Sequence, residues 1–395
     1  MYITDESGLR ALCSTIEGAP VLAVDTEFMR ERTYYAKLCL IQVATEDVSA
    51  IIDPLAVADL TPLFTVLRDE RTMKVLHAGQ QDLEIFCLMM GQTVRPVFDT
   101  QIAATLAGFP QQVGYGALVK ELVGADLDKS DTYTDWARRP LSENQVEYAL
   151  NDVRYLPEMY RLLRERLEEA GRMPWLAADF ERLIDPASYE VDPDQVFRRL
   201  KRLSSLNPRQ MGIAQKVAAW REREARRRDI PRRWVVGDES LIEIARRAPG
   251  NAKALGAVRG VADKLQKSAY PGLLEAVAEG IALEDHELPR LGKRRRRPVD
   301  IEGVVDLMAA LVRVRAKEHG VAVPLLASRD DIERVASGER EDCELLDGWR
   351  RSIVGAELLE LLDGRLALSV EDGTLSVRRT CEDIVGDIED GTHLA

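Results

Sequence analysis

The sequence predicts an α/β domain followed by two all-α helical domains, on three observations. In the first half, short apolar runs alternate with segments of helical periodicity. From Asp194 onward the periodicity is helical, interrupted at Asn207-Pro208, Pro231 and Pro249-Gly250. The length, 395 residues, suits two to three domains at about 150 residues each.

Four apolar runs predict four strands of one sheet. They are Pro20-Val-Leu-Ala-Val24, Leu38-Cys-Leu-Ile41 with Val43, Val48 to Ile52 ended by Asp53-Pro54, and Met73 to His77. The first three form an antiparallel meander, because their connections are too short for helical crossovers. After His77, the spacing of Leu83, Phe86, Cys87 and Met90 is helical, and Gly91 closes that helix. Ser142-Glu-Asn-Gln145 has the form of a capping box opening a long helix with Val146, Ala149, Leu150, Val153 and Leu156 on one face. Pro157 bends or divides that helix and Gly171 ends it. The first domain is therefore placed at 1–175, with Asp185-Pro186 and Asp192-Pro193 marking a linker over 176–193.

Helical segments around 194–204, 209–228, 238–247 and 262–279 make up a domain at 194–282. Gly292-Lys-Arg-Arg-Arg-Arg-Pro298 forms an exposed basic linker within 283–298. The second helical domain, 299–395, ends in a hairpin formed by Leu366-x-Leu-x-Val370 and Leu375-x-Val377 around Asp372-Gly373. The two helical regions are weakly alike at an offset of 91 residues, with Ala218-Ala219 aligned to Ala309-Ala310, Leu241 to Ile332 and Ala245 to Ala336. Helical composition produces such likeness as readily as a repeat does.

The formal net charge of −13 argues, taken as an average, against a phosphate-rich partner. Its distribution argues the reverse. Residues 1–190 carry −13, residues 191–297 carry +11 and residues 298–395 carry −11, so a basic segment lies between two acidic ones. Five scattered cysteines without a C-x-x-C pair predict reduced thiols and a cytoplasmic protein. The N-terminus has neither the charged nor the apolar region of a signal peptide, and no run approaches the length of a membrane span.

Five residues are candidates to carry chemistry. Asp25 and Glu27 follow the first strand at i, i+2, which places both carboxylates on one face. Two like charges leaving a core are costly without a cation, although an exposed strand end has the same spacing. Asp82 lies in the first turn of the helix after the fourth strand, where plain helix capping would also place an acid. Tyr148 and Asp152 stand four apart on the long helix, on one face.

In this order, Asp25-x-Glu27, Asp82 and Tyr148-x3-Asp152 resemble the three motifs of the tyrosine-bearing DEDD 3′–5′ exonucleases. Neighbouring text resembles bacterial ribonuclease D more closely. It includes Asp25-Thr-Glu-Phe28, Arg32-Thr-Tyr-Tyr35, Leu40-Ile-Gln42, Ile52-Asp-Pro54, Leu76-His-Ala-Gly79, Asp99-Thr-Gln101, Leu127-Asp-Lys-Ser130, and Thr134-Asp-Trp136 with Arg139-Pro-Leu141. The resemblance is dense over about the first 175 residues. It implies a ribonuclease H-like exonuclease domain, a mixed sheet flanked by helices, followed by two helicase-and-RNase-D C-terminal (HRDC-like) modules, the second divergent.

The resemblance also implies two divalent cations, Mg²⁺ or Mn²⁺, held by Asp25, Glu27, Asp82 and Asp152, with Tyr148 orienting the attacking water. Hard oxygen ligands suit these ions. The reaction implied is hydrolytic removal of 5′-mononucleotides from the 3′ end of structured RNA, transfer RNA precursors above all. His77, Lys129, Trp136, Arg226, Arg227 and Arg228 are candidate substrate contacts. Ordinary readings stand beside them: a strand-end histidine, solvated loop cations, a packed tryptophan, and a helix face of Glu/Arg pairs. A DNA-directed 3′–5′ exonuclease and a non-catalytic RNA-binding adaptor are the alternatives. The sequence shows no polymerase domain after the nuclease, keeps all five motif residues, and indicates no obligatory protein partner and no membrane association.

Overall fold

Six strands of the N-terminal half join one mixed sheet. They are β1 (Tyr2–Ile3), β2 (Val21–Met29), β3 (Lys37–Ala44), β4 (Ser49–Ile52), β5 (Met73–Leu76) and β6 (Val97–Asp99), in the spatial order β1-β4-β3-β2-β5-β6. The computed structural model describes residues 1–127, 134–290, 301–341 and 343–380. β2, β3 and β4 form the expected antiparallel meander, while β5 runs parallel to β2 and β1 parallel to β4.

The two sheet faces differ in what covers them. Helices α1 (Glu6–Ile16), α2 (Thr61–Arg68) and α3 (Gln80–Met90) bury one core, with Leu9, Leu22, Ile41, Leu63 and Phe86 inside it. After α4 (Thr100–Leu106) and α5 (Tyr115–Leu122), α6 (Glu143–Arg154) covers the other face, against Cys39, Leu40 and Ile51. The Ser142–Gln145 capping box is formed, so both partners satisfy amides that a helix start leaves open. α7 (Leu156–Glu169) begins directly afterwards, with Pro157 in its first turn, where a missing N–H costs nothing.

Residues 176–193 are not a bare linker. They hold α8 (Ala177–Ile184) and a 3-10 turn, Pro186–Tyr189, and Leu183, Ile184 and Tyr189 pack on the first core. The helix expected over 194–204 is two 3-10 turns, Val196–Arg199 and Leu203–Ser205, separated at Arg202 with φ of 65°. Phe197, Leu200, Leu203 and Leu206 are all buried, and a three-residue period fits a 3-10 path as well as an α-helix.

The first helical module comprises α9 (Pro208–Arg228), α10 (Arg232–Val235), α11 (Asp238–Arg247), α12 (Ala252–Gly256) and α13 (Tyr270–Ala282). α13 starts later than the periodicity around 262–279 suggested, because Pro271 suits only the first turn of a helix. α9 and α13 cross at glycines. A Cβ on Gly280 would lie 2.5 Å from Cα of Ile213, so only glycine allows this approach.

Further along come α14 (Glu302–Glu318), α15 (Val323–Leu326) and α16 (Arg329–Ala336), a helical run over 348–362, and the hairpin β7 (Leu366–Glu371) and β8 (Thr374–Arg379). α15 lies 91 residues after α10 at both ends, and the starts of α11 and α16 differ by the same interval. The basic linker arginines 294–297 lie outside the described residues.

The chain divides into two compact units. One comprises Met1–Phe98, Asp126–Glu158 and Phe180–Lys293, and holds the sheet, α6 and the first helical module. The other comprises Asp99–Ala125, Met159–Asp179 and Arg294–Ala395. Within it Trp175 stacks on Trp349, with ring centres 4.9 Å apart, and Arg172 donates to the carbonyl of Leu106 at 2.7 Å and to that of His319. Among the described residues, no helix is long and apolar enough to cross a membrane.

Candidate active site

The site is built at the end of β2 that outruns its neighbour. β5 pairs with β2 only over Val21–Ala23, so the edge of β2 from Val24 onward is open on that side. Asp25 and Glu27 lie on the α6 face, opposite Gln42 and Leu40 of β3. From α6, Asp152 brings a third carboxylate. One ligand oxygen from each of Asp25, Glu27 and Asp152 lies within 4.8 Å of the others.

Asp82 arrives from the other side of the sheet. His77 ends the strand run, Ala78 takes a left-handed φ of 54°, and a Cβ on Gly79 would lie 2.6 Å from Leu76. This tight turn starts α3 so that buried Asp82, in its first turn, accepts a hydrogen bond from the Thr26 hydroxyl. Thr26 sits between Asp25 and Glu27 and points to the opposite face.

The electrostatics follow from this crowding. Burial pushes the Asp25 carboxyl well above its ordinary value, and Asp82, Asp152 and Glu27 push it further. Burial lifts Glu27 to about 8, with Asp152 and Asp82 adding to it. Burial lifts Asp152 to about 7. Acids held this way favour a proton or a cation.

The donor set suits a hard divalent cation, since every charged ligand is a carboxylate. Gln42 supports the same fit. It is fully buried opposite Asp25, and neither atom of its amide has a hydrogen-bond partner among the described residues. Such a group is costly unless a hydrated ion or water answers it. Gln42 was visible in sequence only as part of Leu40-Ile-Gln42, with nothing to mark it as orphaned.

Tyr148 stands one helical turn before Asp152, beside Trp136 at 5.9 Å between ring centres. Trp136 is only 5% exposed and packs with Cys39, Leu40, Ile51 and Ala149. It packs behind Tyr148, in keeping with the reading of a packed tryptophan, and little of its ring is open to solvent. Gln145 reinforces this corner by donating to the Thr134 hydroxyl at 2.8 Å.

The other candidates separate. His77 is partly buried at the turn before α3. Lys129 lies outside the described residues. Arg226 faces inward, bonding Tyr34, Glu222 and the carbonyl of Val191, which take up part of its charge within the fold. Arg227 and Arg228 are held near Glu224, Arg227 by two hydrogen bonds and Arg228 at 4.0 Å.

Carboxylates of this kind on an inner strand of a mixed sheet, joined by one from a flanking helix, suit metal-assisted hydrolysis of a phosphodiester. A 3′–5′ exonuclease family model matches residues 1–168, and an HRDC domain matches residues 210–277. The chain is 44% identical over 376 residues to ribonuclease D of Gluconacetobacter diazotrophicus, covering 95% of each chain. It is 42% identical over 382 residues to ribonuclease D of Sphingobium indicum, covering 96% of this chain and 98% of that one. The crystal structure of Escherichia coli RNase D superposes with a TM-score of 0.81 at 34% identity, covering 92% of this chain and 98% of the other. The chain belongs to the ribonuclease D family and is a 3′–5′ exoribonuclease.

Proposed function

We propose that this exoribonuclease trims the 3′ ends of structured RNA, transfer RNA precursors in particular, in the cytoplasm. Asp25, Glu27, Asp82 and Asp152 would hold two divalent ions, Mg²⁺ or Mn²⁺. The observation that carries the reading is the meeting of three half-buried carboxylates, one oxygen from each within 4.8 Å of the others, with Tyr148 one turn away. Bound cations supply Lewis-acid stabilisation of the phosphoryl oxygens and an acidic water.

The chain's own residues do the positioning. Tyr148, backed by Trp136, orients the attacking water by hydrogen bonding; a phenol is too weak a base to accept its proton outright. Water adds to phosphorus and gives up a proton to solvent, the P–O3′ bond breaks as the 3′ oxygen takes up a proton, and a 5′-mononucleotide leaves. The described cysteines Cys13, Cys39, Cys87 and Cys343 are all free, which supports a reducing compartment. Escherichia coli RNase D is an exoribonuclease involved in structured RNA processing, which supports the same substrate class here. The interval of 91 residues shared by α10–α11 and α15–α16 supports a second, divergent HRDC-like module over 299–395, after the nuclease at 1–175 and the first module at 194–282.

The test is incubation with a 3′-extended transfer RNA and with single-stranded DNA, with and without EDTA. The expected result is metal-dependent mononucleotide release from RNA and near-complete loss in Asp25→Asn. An unaltered Asp25→Asn enzyme defeats the carboxylate assignment, and preference for DNA defeats the substrate.

A further inference from the structure

A cavity of about 480 Å³ lies where the loop after β2 meets the first helical module. The loop contributes Arg30, Thr33 and Tyr34, and the module contributes Arg199, Arg221, Arg232, Arg233 and Trp234. Five guanidinium groups face it against one carboxylate, Asp238.

Part of that charge is answered from behind. Glu84 holds Arg30 through two hydrogen bonds of 2.8 and 2.9 Å, and Glu222 holds Arg232. With Glu84, Glu222 and Asp238 all subtracted, the five arginines still leave an excess of two positive charges.

Arg221 is the telling residue. Its side chain is 6% exposed. Its Nη1 donates to the carbonyl of Val236 at 3.1 Å and to Asp238 at 2.7 Å, but among the described residues its Nε has no partner. Asp238 is shared with Arg233, 3.7 Å away. A buried cation that is answered in part, and shares its one acid, is costly to leave so and favours an anion in the cavity it lines. At the mouth, Trp234 is 52% exposed, an indole beside these arginines, where a base can stack.

From these observations we infer that the cavity is a second nucleotide-binding site, taking a phosphate of the RNA strand among its arginines and the adjoining base on Trp234. The inference rests on the reading that the carboxylate cluster cuts a 3′ end. Arg30 is three residues beyond Glu27, roughly 10 Å along an extended chain, so one strand can occupy both places. RNA is favoured over a free mononucleotide because the positive lining continues. A neighbouring cavity of about 800 Å³ shares Arg233 and Asp238 and adds Arg246, Arg247, Arg259 and Lys264.

Arg199, Arg233 and Trp234 reach solvent, so the triple variant Arg199→Gln, Arg233→Gln, Trp234→Ala keeps the fold. Steady-state cleavage with Mg²⁺ is compared on a dinucleotide, too short to span the two sites, and on single-stranded RNA of about twelve nucleotides. The longer RNA is expected to lose about tenfold in kcat/KM, through KM, with a shallower salt dependence, while the dinucleotide is unchanged. Equal losses on both substrates, or none on either, overturn the inference. Inhibition by 5′-AMP that the variant relieves, with KM for the longer RNA unaltered, overturns it in favour of a free nucleotide. If the wild-type protein shortens neither substrate, the reading of the carboxylate cluster fails first and this one with it.

Discussion

Replacing Asp152 by asparagine is expected to stabilise the metal-free protein while abolishing its activity. The carboxyl is lifted from an ordinary 3.8 to about 7 by burial, so its ionised form opposes folding. At about 1.36 kcal/mol for each pH unit, the full cost is roughly 4 kcal/mol. The folded state holds the proton more tightly than the unfolded one. The cost is therefore absent below pH ~4, grows as pH rises toward ~7 and is complete above it. Asparagine removes it. Because Asp25 and Glu27 share the same crowding, the net gain at pH 8 is expected at about 2–4 kcal/mol, a rise of about 5–10 °C in Tm.

Thermal melts of both proteins in EDTA, at pH 8 and pH 5, measure this directly. At pH 5 the gap is expected to fall to less than half, since most of the carboxyl is then protonated in the fold. Adding Mg²⁺ at pH 8 is expected to raise the wild type more than the variant. A variant that melts at or below the wild type at pH 8 in EDTA, or a gap that does not shrink at pH 5, refutes the argument.

Other changes test the supporting residues. Gln42→Leu removes an amide with no hydrogen-bond partner among the described residues, so the metal-free fold is expected to keep its stability, whereas Mn²⁺ affinity measured by titration falls about tenfold. Tyr148→Phe is expected to lower kcat by about 10² or more with KM and Tm unchanged, which separates water orientation from packing. Glu222→Ala strands Arg226, Arg232 and the Tyr34 hydroxyl without their shared acceptor. It is expected to cost about 3–5 kcal/mol in a urea melt and to speed amide exchange over residues 30–35.

Legibility in the sequence followed the range of the interaction. The meander of β2, β3 and β4 was readable because short connections leave antiparallel pairing as the available route. The pairing of Asp25 with Glu27 was readable because a strand repeats every two residues. The start of α6 was readable because its cap is local, Ser142 with Gln145. By contrast, 194–204 was misread as one helix, since spacing of buried leucines does not distinguish an α-helix from successive 3-10 turns. The surroundings of the arginines were not legible for a related reason. Arg226 through Arg228 form the most conspicuous basic run of α9, but which of them meets solvent depends on Tyr34 and Glu222, far apart in the chain.

Taken by itself, the sequence determined the α/β-then-helical order and the basic character of the middle segment, because backbone periodicity and charge are properties of neighbouring residues, while the candidate carboxylates and Tyr148 stood out through their likeness to the family's motifs. Only the tertiary structure decided that Asp82 comes from the far face of the sheet and bonds Thr26, that Gln42 is buried opposite Asp25 with no hydrogen-bond partner among the described residues, that Trp136 packs beside Tyr148, and that Arg221 lines a cavity while Arg226 bonds Tyr34 and Glu222. Each of those depends on burial and on partners brought from distant parts of the chain, and desolvation is set by the surrounding fold and not by the adjacent residues.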